Sequence, residues 1–302
     1  MAATEEIEFL TTDAELLAAF DPYVVRKFHV KDSEWQDILK KTAQAQAAAR
    51  RRRHLVGWLR PFRRTQRSVQ VSYLQQWADI GMERQLDGKL KAHYLFRDQP
   101  FEAFTQGEKR IHHRLLFRAV ERLRPRSVLE VGCGNGLNIL TLAARFPDVS
   151  FSGLEVTASG VQAAAAIRSL PGLPRVLAEF SIDPPRTMTG HCGVRLIQGT
   201  AEALPFPDAS FDFVFTVLAL EQMEEIRNAA LSEIRRVSRE FVLMIEPFRD
   251  WNPSGIRRDY IIANDYFSAK VSDLTEFRLQ PVITDEIPAK LARGAGLVAV
   301  DS

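Results

Sequence analysis

An α/β fold with a doubly wound, mostly parallel sheet is predicted by two features of this 302-residue chain. Short apolar runs alternate with helix-compatible segments from residue 126 onward, and the first run ends in a cluster of glycines. This alternation is typical of a sheet whose parallel strands are joined by helices that cover both faces. The sequence therefore predicts one large α/β domain in the later part of the chain.

The elements of this domain follow one another in order. The first unit has an apolar run at residues 127–131, the glycine turn, and a helical pattern at residues 137–146. The second has a strand at residues 150–156 and an alanine-rich helix at residues 161–170. The later pattern predicts strands at residues 194–199, 211–220, 241–248, 279–287 and 297–302, and a helix at residues 224–237.

The segment before the first strand begins with a helix signal. Thr105 and Glu108 have the spacing of a capping box, and an amphipathic run follows them. Residues 1–104 carry helical patterns without the alternation of strands. We therefore divide the chain into a mainly helical N-terminal extension, residues 1–104, which we expect to cap a pocket, and an α/β domain, residues 105–302.

Composition narrows the class of protein. A content of 46% hydrophobic and 26% charged residues is typical of globular proteins, and no apolar run approaches the roughly 20 residues of a membrane span. The first ten residues contain acids in place of the cationic start of a signal peptide, which predicts a cytoplasmic protein without a transmembrane segment. With a net charge of +2 and only Cys133 and Cys192, neither a charged partner nor a disulfide framework is indicated.

The glycine loop indicates a nucleotide-like ligand. Gly132, Gly134 and Gly136 permit a sharp turn and a close approach of the backbone to a ligand. The dinucleotide fingerprint needs a further glycine at position 137, where this chain has Leu137. Glu130 would repel a pyrophosphate but can accept a hydrogen bond from the ammonium of an amino-acid moiety. These features favour S-adenosylmethionine as the ligand, and Asn135 belongs to the same candidate cofactor-binding loop.

A second acid lies at the predicted end of the second strand. Glu155 follows Gly136 by 19 residues, where a carboxylate can accept both hydroxyls of a ribose. This contact is common to dinucleotides and S-adenosylmethionine. We therefore expect Glu155 to bind cofactor.

Two segments carry a family resemblance. Residues 129–136 (LEVGCGNG) and residues 198–223 (QGTAEALPFPDASFDFVFTVLALEQM) together resemble class I, Rossmann-like, S-adenosylmethionine-dependent methyltransferases, in the group that includes quinone-biosynthesis and small-molecule enzymes. The resemblance implies a seven-stranded sheet and S-adenosylmethionine as cofactor. It also implies that Thr200, Ala201 and Glu202 hold the adenine edge and that Val217, at the end of the fourth strand, flanks the methionine portion.

The chain departs from the family pattern at two positions. Thr200 stands where an aspartate is common, and its hydroxyl is a weaker acceptor for the adenine amino group. Where relatives often carry a histidine after the fourth strand, this chain has Leu220 to Met223, so Glu221 is the candidate catalytic base. The interpretation of Glu221 as a solvated or structural carboxylate at a helix start is favoured over the catalytic one, because the first turns of helices favour acids.

Two further segments have open interpretations. His191 and Cys192 lie in a long irregular segment and lack partners at any metal-ligand spacing, so we expect no metal site. Between Ile38 and Ala78 there are ten basic residues and no acidic one, with Trp58 among the arginines. Residues 50–67 suit contact with an anionic membrane surface or RNA, or form a solvated helix whose aromatic residues pack on the domain.

Three functions are consistent with these patterns. A methyltransferase for a small-molecule or lipid-intermediate acceptor comes first, because the matching motifs recur in enzymes of that kind. An RNA or protein methyltransferase that uses the basic stretch comes second. A non-catalytic protein with the methyltransferase fold comes third, and the intact glycine loop argues against it.

Overall fold

A computed structural model of the chain describes residues 11–57, 65–79, 82, 86, 88–263, 268–291 and 296–301. Its strands, in chain order, are β1 (Val24–Lys27), β2 (Lys91–Phe96), β3 (Gln99–Phe104), β4 (Ser127–Val131), β5 (Ser150–Glu155), β6 (Arg195–Gln198), β7 (Phe211–Val217), β8 (Ser238–Glu246), β9 (Gln280–Glu286), β10 (Ala289–Lys290) and β11 (Gly296–Asp301). Its α-helices are α1 (Asp13–Phe20), α2 (Ser33–Gly57), α3 (Gln66–Asp79), α4 (Gln106–Leu123), α5 (Leu137–Arg145), α6 (Ala158–Arg168), α7 (Arg175–Phe180), α8 (Arg227–Val237) and α9 (Gly255–Ala263).

The main sheet has the strand order β6-β5-β4-β7-β8-β11-β9. The five strands from β6 to β8 are parallel, and β11 runs antiparallel to both β8 and β9. The α/β class and the parallel arrangement predicted from the sequence are therefore confirmed in these five strands. The strand order reverses between β4 and β7, and ligands of doubly wound sheets bind beyond the carboxyl ends of the strands at such a point.

Alternate residues of the central strands pack in two separate cores. Val128 of β4 and Phe213 of β7 belong to one core, together with α4 and α5. Leu129 of β4 and Val214 of β7 belong to the other, together with α8. Because successive side chains of a strand point to opposite faces, the sheet is covered by helices on both sides. This explains why these strands appear in the sequence as continuous apolar runs.

A buried acid fixes the alignment of the two central strands. The Asp212 carboxylate accepts the backbone N–H groups of Arg126 and Ser127 at 2.8 and 3.1 Å, and it also pairs with Arg239. These hydrogen bonds lower the pKa of Asp212, although its burial acts in the opposite direction. Asp212 therefore has a structural role in this fold.

The N-terminal segment differs from the sequence prediction. Helices α1 to α3 are present, but β1, β3, β2 and β10 form a second, antiparallel sheet in that order. The expectation of a segment without strands was therefore wrong. Hairpin β2–β3 turns at Arg97 and Asp98, both with positive φ, and this pair lacks the glycine that usually marks such a turn. The domain boundary at residue 104 stays a prediction, and β10 pairs with β2 across it.

Helix α4 begins at Gln106, close to the predicted start, but the capping box is absent. Thr105 has helical backbone angles (φ −65°, ψ −15°) and its side chain makes no capping hydrogen bond. A capping box requires an extended residue at that position, so Glu108 is not used to close it. Glu108 instead forms an ion pair with Lys290 at 3.0 Å.

Candidate functional site

A cavity of about 650 Å³ lies at the carboxyl ends of β4, β5 and β7. Its walls come from the glycine loop, the ends of β5 and β7, and helices α3 and α4. Seven of the predicted site residues line it, namely Glu130, Gly132, Gly134, Asn135, Glu155, Val217 and Glu221.

The glycine loop closes tightly around the end of β5. Gly132, Gly134 and Gly136 have φ values of +84°, +53° and +83°, a region that residues with side chains seldom adopt. The N–H groups of Gly132 and Cys133 donate to the carbonyl of Leu154 at 2.8 and 3.0 Å. A Cβ atom on Gly132 would lie 2.6 Å from the Cβ of Ala219. The loop therefore needs glycine at this position, both for its conformation and for its packing.

Glu130 places a carboxylate in the cavity wall. Its Oε1 accepts a hydrogen bond from Nδ2 of Asn138 at 2.8 Å, whereas its buried Oε2 has no hydrogen-bond partner within the described part of the chain. Burial raises the pKa of Glu130 to about 8. Because a buried polar oxygen without a partner is costly, this site fits a ligand that brings a cationic donor. Sequence reasoning missed Asn138, since nothing in its spacing indicated a contact with Glu130.

Glu155 holds the loop as well as lining the cavity. Its Oε2 accepts the N–H of Gly134 at 3.1 Å, and its Oε1 accepts the N–H and the hydroxyl of Thr157 at 2.9 and 2.6 Å. The carboxylate thereby joins the glycine loop to the start of α6. A carboxylate has about four acceptor positions, so capacity for a further donor is left.

The loop after β7 forms the opposite wall. Val217, Leu218, Ala219 and Glu221 line the cavity, and Leu218 has a φ of +50°. A non-glycine residue in this region is strained and marks a conformation that its surroundings enforce. Glu221 is buried, and its Oε1 accepts a hydrogen bond from Nε2 of Gln222 at 2.8 Å.

One buried carboxylate at the end of β8 supports this loop. Glu246 accepts the backbone N–H groups of Ala219 and Leu220 on Oε1, at 2.9 and 3.0 Å, and that of Glu221 on Oε2, at 3.1 Å. Burial and the nearby charge of Glu221 raise the pKa of Glu246 to about 8. Sequence reasoning missed this residue. The available signal was an acid at the end of an otherwise apolar run, followed by Pro247.

Four predicted cofactor contacts lie outside the cavity lining. Gly136 begins α5 and faces Leu140 and Ala164. Ala201 is buried in a hydrophobic core, and the Thr200 hydroxyl accepts the N–H of Glu202 at 3.4 Å. The turn that carries these last three residues follows β6 and adjoins β5, where the N–H of Gly199 donates to the carbonyl of Glu155.

The N-terminal segment supplies the remaining wall. Gln66, Val69, Ser72 and Tyr73 of α3 line the cavity. The Gln66 side chain donates to the carbonyl of Gln222 at 3.0 Å, which ties α3 to the loop after β7. Lys290 of β10 also lines the cavity. No local pattern indicated these contacts, because they join segments that are distant along the chain.

His191 and Cys192 lie away from this cavity. The His191 ring is buried, and its Nε2 lies 3.7 Å from the exposed Sγ of Cys192. Over the residues that the structure describes, no group of three or more histidine, cysteine, aspartate or glutamate side chains could hold a metal ion. No helix in the same residues has the length and apolar content needed to cross a membrane.

Residues 129–242 match the family described as Methyltransferase domain. These residues therefore form a methyltransferase domain. The match includes the glycine loop and the loop after β7, which form two walls of the cavity, whereas α3, α4 and Lys290 lie outside the matched residues. The predicted family resemblance is confirmed, and it supports S-adenosylmethionine as cofactor.

Curated relatives share the methyltransferase domain at moderate identity. The phthiotriol/phenolphthiotriol dimycocerosates methyltransferase of Mycobacterium tuberculosis is 28% identical over 201 residues, which are 66% of this chain and 62% of that protein. The fatty-acid O-methyltransferase of Mycolicibacterium smegmatis is 31% identical over 112 residues, 37% of this chain and 33% of that protein. The chain thus spans less than two thirds of the length of these relatives.

Solved structures share the fold. Magnesium protoporphyrin IX methyltransferase from Synechocystis PCC 6803, with bound SAH, has a TM-score of 0.50 at 12% identity and covers 78% of this chain and 98% of its own. The [4+2]-cyclase SpnF has a TM-score of 0.52 at 15% identity and covers 79% of this chain and 97% of its own. Since one of these proteins is named a cyclase, the fold alone does not fix the reaction of the methyltransferase domain.

Proposed function

We propose that this chain transfers a methyl group from S-adenosylmethionine to a small-molecule or lipid-intermediate acceptor. The observation that carries the proposal is the partnerless Oε2 of Glu130 in the wall of a cavity bounded by the glycine loop, within the part of the chain that the structure describes. That oxygen would accept a hydrogen bond from the ammonium group of the methionine portion. Glu155 would accept the ribose hydroxyls, Val217 would flank the methionine portion, and the turn at residues 200–202 would hold the adenine edge.

The chemistry needs little from the chain beyond alignment. The bound cofactor supplies an electrophilic methyl group on a sulfonium, which is transferred by in-line displacement. The residues of the cavity orient the acceptor and exclude water, and alignment of this kind accounts for much of the acceleration in such reactions. For an oxygen acceptor, Glu221 would take the proton, because its carboxyl belongs to a residue that lines the cavity on the loop after β7.

Part of the cavity wall is apolar. Val69, Leu90, Leu218 and Met223 line it together with the polar groups of the cofactor site. The other lining residues are largely polar or charged, including Lys109, His112 and Lys290, so the cavity suits an acceptor that has both an apolar part and a polar group. The names of two relatives point the same way, since they describe dimycocerosate and fatty-acid methyltransferases.

We also propose a cytoplasmic location and contact of the basic stretch, residues 50–67, with an anionic membrane surface. Arg50, Arg51 and Arg52 are exposed on α2. Residues 58–64, which include Trp58, lie outside the described residues. RNA presents the same kind of charge, so an RNA or protein methyltransferase is the alternative that salt-dependent RNA binding would indicate.

Calorimetric titration with S-adenosylmethionine and S-adenosylhomocysteine tests the proposal, with a nicotinamide dinucleotide as the ligand control. We expect micromolar binding by the wild type and at least about tenfold weaker binding by two variants. Gly134→Arg places a large side chain in the cavity wall at a positive φ, and Glu130→Gln removes the carboxylate that would accept the ammonium. Gly193→Ala is the matched control, since a Cβ there meets nothing within 4 Å. A folded wild type that binds neither ligand would overturn the proposal and favour a non-catalytic interaction protein.

A further inference from the structure

Helix α3 has two faces with different surroundings. Gln66, Val69 and Tyr73 recur at helical spacing on the face that lines the cavity. Val71 and Leu74 lie more than a quarter turn away, and they are 52% and 41% exposed. Two aliphatic side chains of one helix therefore face solvent on the outer side of a cavity wall.

The mouth of the cavity is also apolar. Leu90 lines the cavity and is nevertheless 69% exposed, so the cavity opens to solvent beside this residue. Single exposed apolar residues are common on proteins and need no explanation. Here, however, Val71 and Leu74 lie on the helix that covers the cavity, and Leu90 lies at the cavity mouth. An acceptor that enters the cavity must pass these places.

Exposed basic residues lie on α3 itself and, separately, on helix α2. Arg67 is exposed on α3, and Arg50, Arg51 and Arg52 are exposed on α2. Between Ile38 and Ala78 the chain has no acidic residue. A helix with exposed aliphatic residues and nearby basic residues is typical of segments that lie in the interface of an anionic bilayer.

We infer that the outer face of α3, meaning Arg67, Val71 and Leu74, docks on an anionic lipid bilayer and brings the cavity mouth at Leu90 to the lipid surface. The inference rests on the proposed function, and it names the source of the acceptor as the bilayer. Docking would let an apolar acceptor enter the cavity without crossing water. Aliphatic side chains suit insertion among acyl chains, whereas single-stranded nucleic acids are held mainly by stacking on aromatic rings.

Sedimentation with extruded vesicles tests this inference without any assay of methyl transfer. We expect the full chain to bind vesicles of phosphatidylcholine and phosphatidylglycerol at least about tenfold more tightly than vesicles of phosphatidylcholine alone. Val71→Ser/Leu74→Ser removes apolar surface without changing charge and should weaken binding to the mixed vesicles about tenfold. Met188→Ser, at a residue that is 44% exposed on another part of the chain, is the matched control and should bind like the wild type.

A second variant separates the contribution of charge. Arg67→Gln, on the docking face itself, should reduce the preference for the anionic vesicles. The inference is overturned if the wild type does not bind the mixed vesicles, if the double serine variant binds like Met188→Ser, or if a single-stranded RNA displaces the vesicles and binds the serine variant unchanged. S-adenosylmethionine titration of the same variants keeps the two proposals apart. Loss of vesicle binding with intact cofactor binding concerns docking alone, and absent cofactor binding with intact docking concerns the proposed function alone.

Discussion

Glu246 Oε2 accepts the backbone N–H of Glu221 at 3.1 Å, so the last residue of β8 holds the loop that follows the neighbouring strand β7. The other carboxylate oxygen accepts the next two N–H groups upstream, from Leu220 and Ala219. These hydrogen bonds stabilise a loop that includes Leu218 with its positive φ. The position of the candidate base therefore depends on an acid that does not line the cavity itself.

Glu246→Gln should loosen this loop. A carboxamide offers one acceptor oxygen in place of two and presents an N–H₂ donor to at least one buried N–H group. Leaving such a group without an acceptor costs about 1–3 kcal/mol, and we expect a loss of this size in the free energy of unfolding measured in urea above pH 8, where the Glu246 carboxyl is ionised. The exposed Glu276→Gln is the control and should change stability by less than about 0.5 kcal/mol. Equal stability of the two variants would contradict the role assigned to Glu246.

Cofactor affinity should rise with pH between about 6 and 8. The pKa of Glu130 is raised to about 8 by burial, so part of the free protein carries a protonated Glu130 at neutral pH. Binding of an ammonium requires the ionised carboxylate, and the complex should therefore release a proton near pH 7. The buffer takes up the released proton, so the observed binding enthalpy includes the protonation enthalpy of the buffer. Calorimetry in phosphate and in Tris, whose protonation enthalpies differ, should therefore give different binding enthalpies. Glu130→Gln should abolish that difference, and proton uptake by the wild type would refute the assignment.

Stability of the free protein should fall as the pH rises from about 5 to 8. A glutamate in water has an ordinary pKa of 4.5, and the fold raises the pKa of both Glu130 and Glu246 to about 8. Between these two values the folded state binds more protons than the unfolded state, so the free energy of unfolding decreases as pH rises. Urea unfolding at several pH values measures this slope, and Glu130→Gln should reduce it. A slope of opposite sign would mean that these carboxyls are ionised in the folded protein. Asp212 has the opposite effect at lower pH. Because the fold lowers its pKa, its contribution to the free energy of unfolding is lost as the pH falls through that pKa.

Gly132→Ala should abolish most cofactor binding. The new Cβ would meet Ala219 at 2.6 Å, and the φ of +84° would cost about 1–2 kcal/mol more. Ala219→Gly in the same chain removes the clash but leaves the strain, so the double variant should recover part of the lost affinity. Calorimetric titration of the two variants decides this. Identical affinities would show that the contact with Ala219 does not limit the loop.

Glu221→Gln should lower turnover while cofactor affinity stays within about twofold, because the proposed role concerns the acceptor proton and not the cofactor. Steady-state kinetics with an accepted substrate and titration with S-adenosylmethionine measure the two quantities. If turnover is unchanged, Glu221 is a structural carboxylate. If cofactor affinity also collapses, the substitution has disturbed the loop that Glu246 holds.

The sequence was informative where elements are buried on both faces. Strands β4, β5, β7 and β8 lie in the sheet interior, so their apolar runs appear without interruption and their positions were predicted within a few residues. The glycine loop was recognised because its backbone requires a special residue type. Glu130 and Glu155 were found because acids are unusual beside such a turn.

The missed features depend on contacts between distant segments. Strand β2 is only partly buried and pairs with β10, where Leu95 opposes Ala289, so neither strand has the pattern of an interior strand. The contact between Glu246 and the loop after β7 joins two strand ends, and no local pattern encodes it. Asn138 contacts Glu130 because α5 begins directly after the glycine loop and turns its second residue back toward the end of β4.

The pairing of β10 with β2 limits how this enzyme type can be recombined. One wall of the cavity is formed by α3 and by Lys290, and the sheet beside it is completed by residues 289–290. A chimera that exchanges only the first hundred or so residues with a relative would leave that sheet without a matched fourth strand. A change of acceptor preference within this architecture therefore requires either substitutions within the wall or the joint exchange of both ends of the chain.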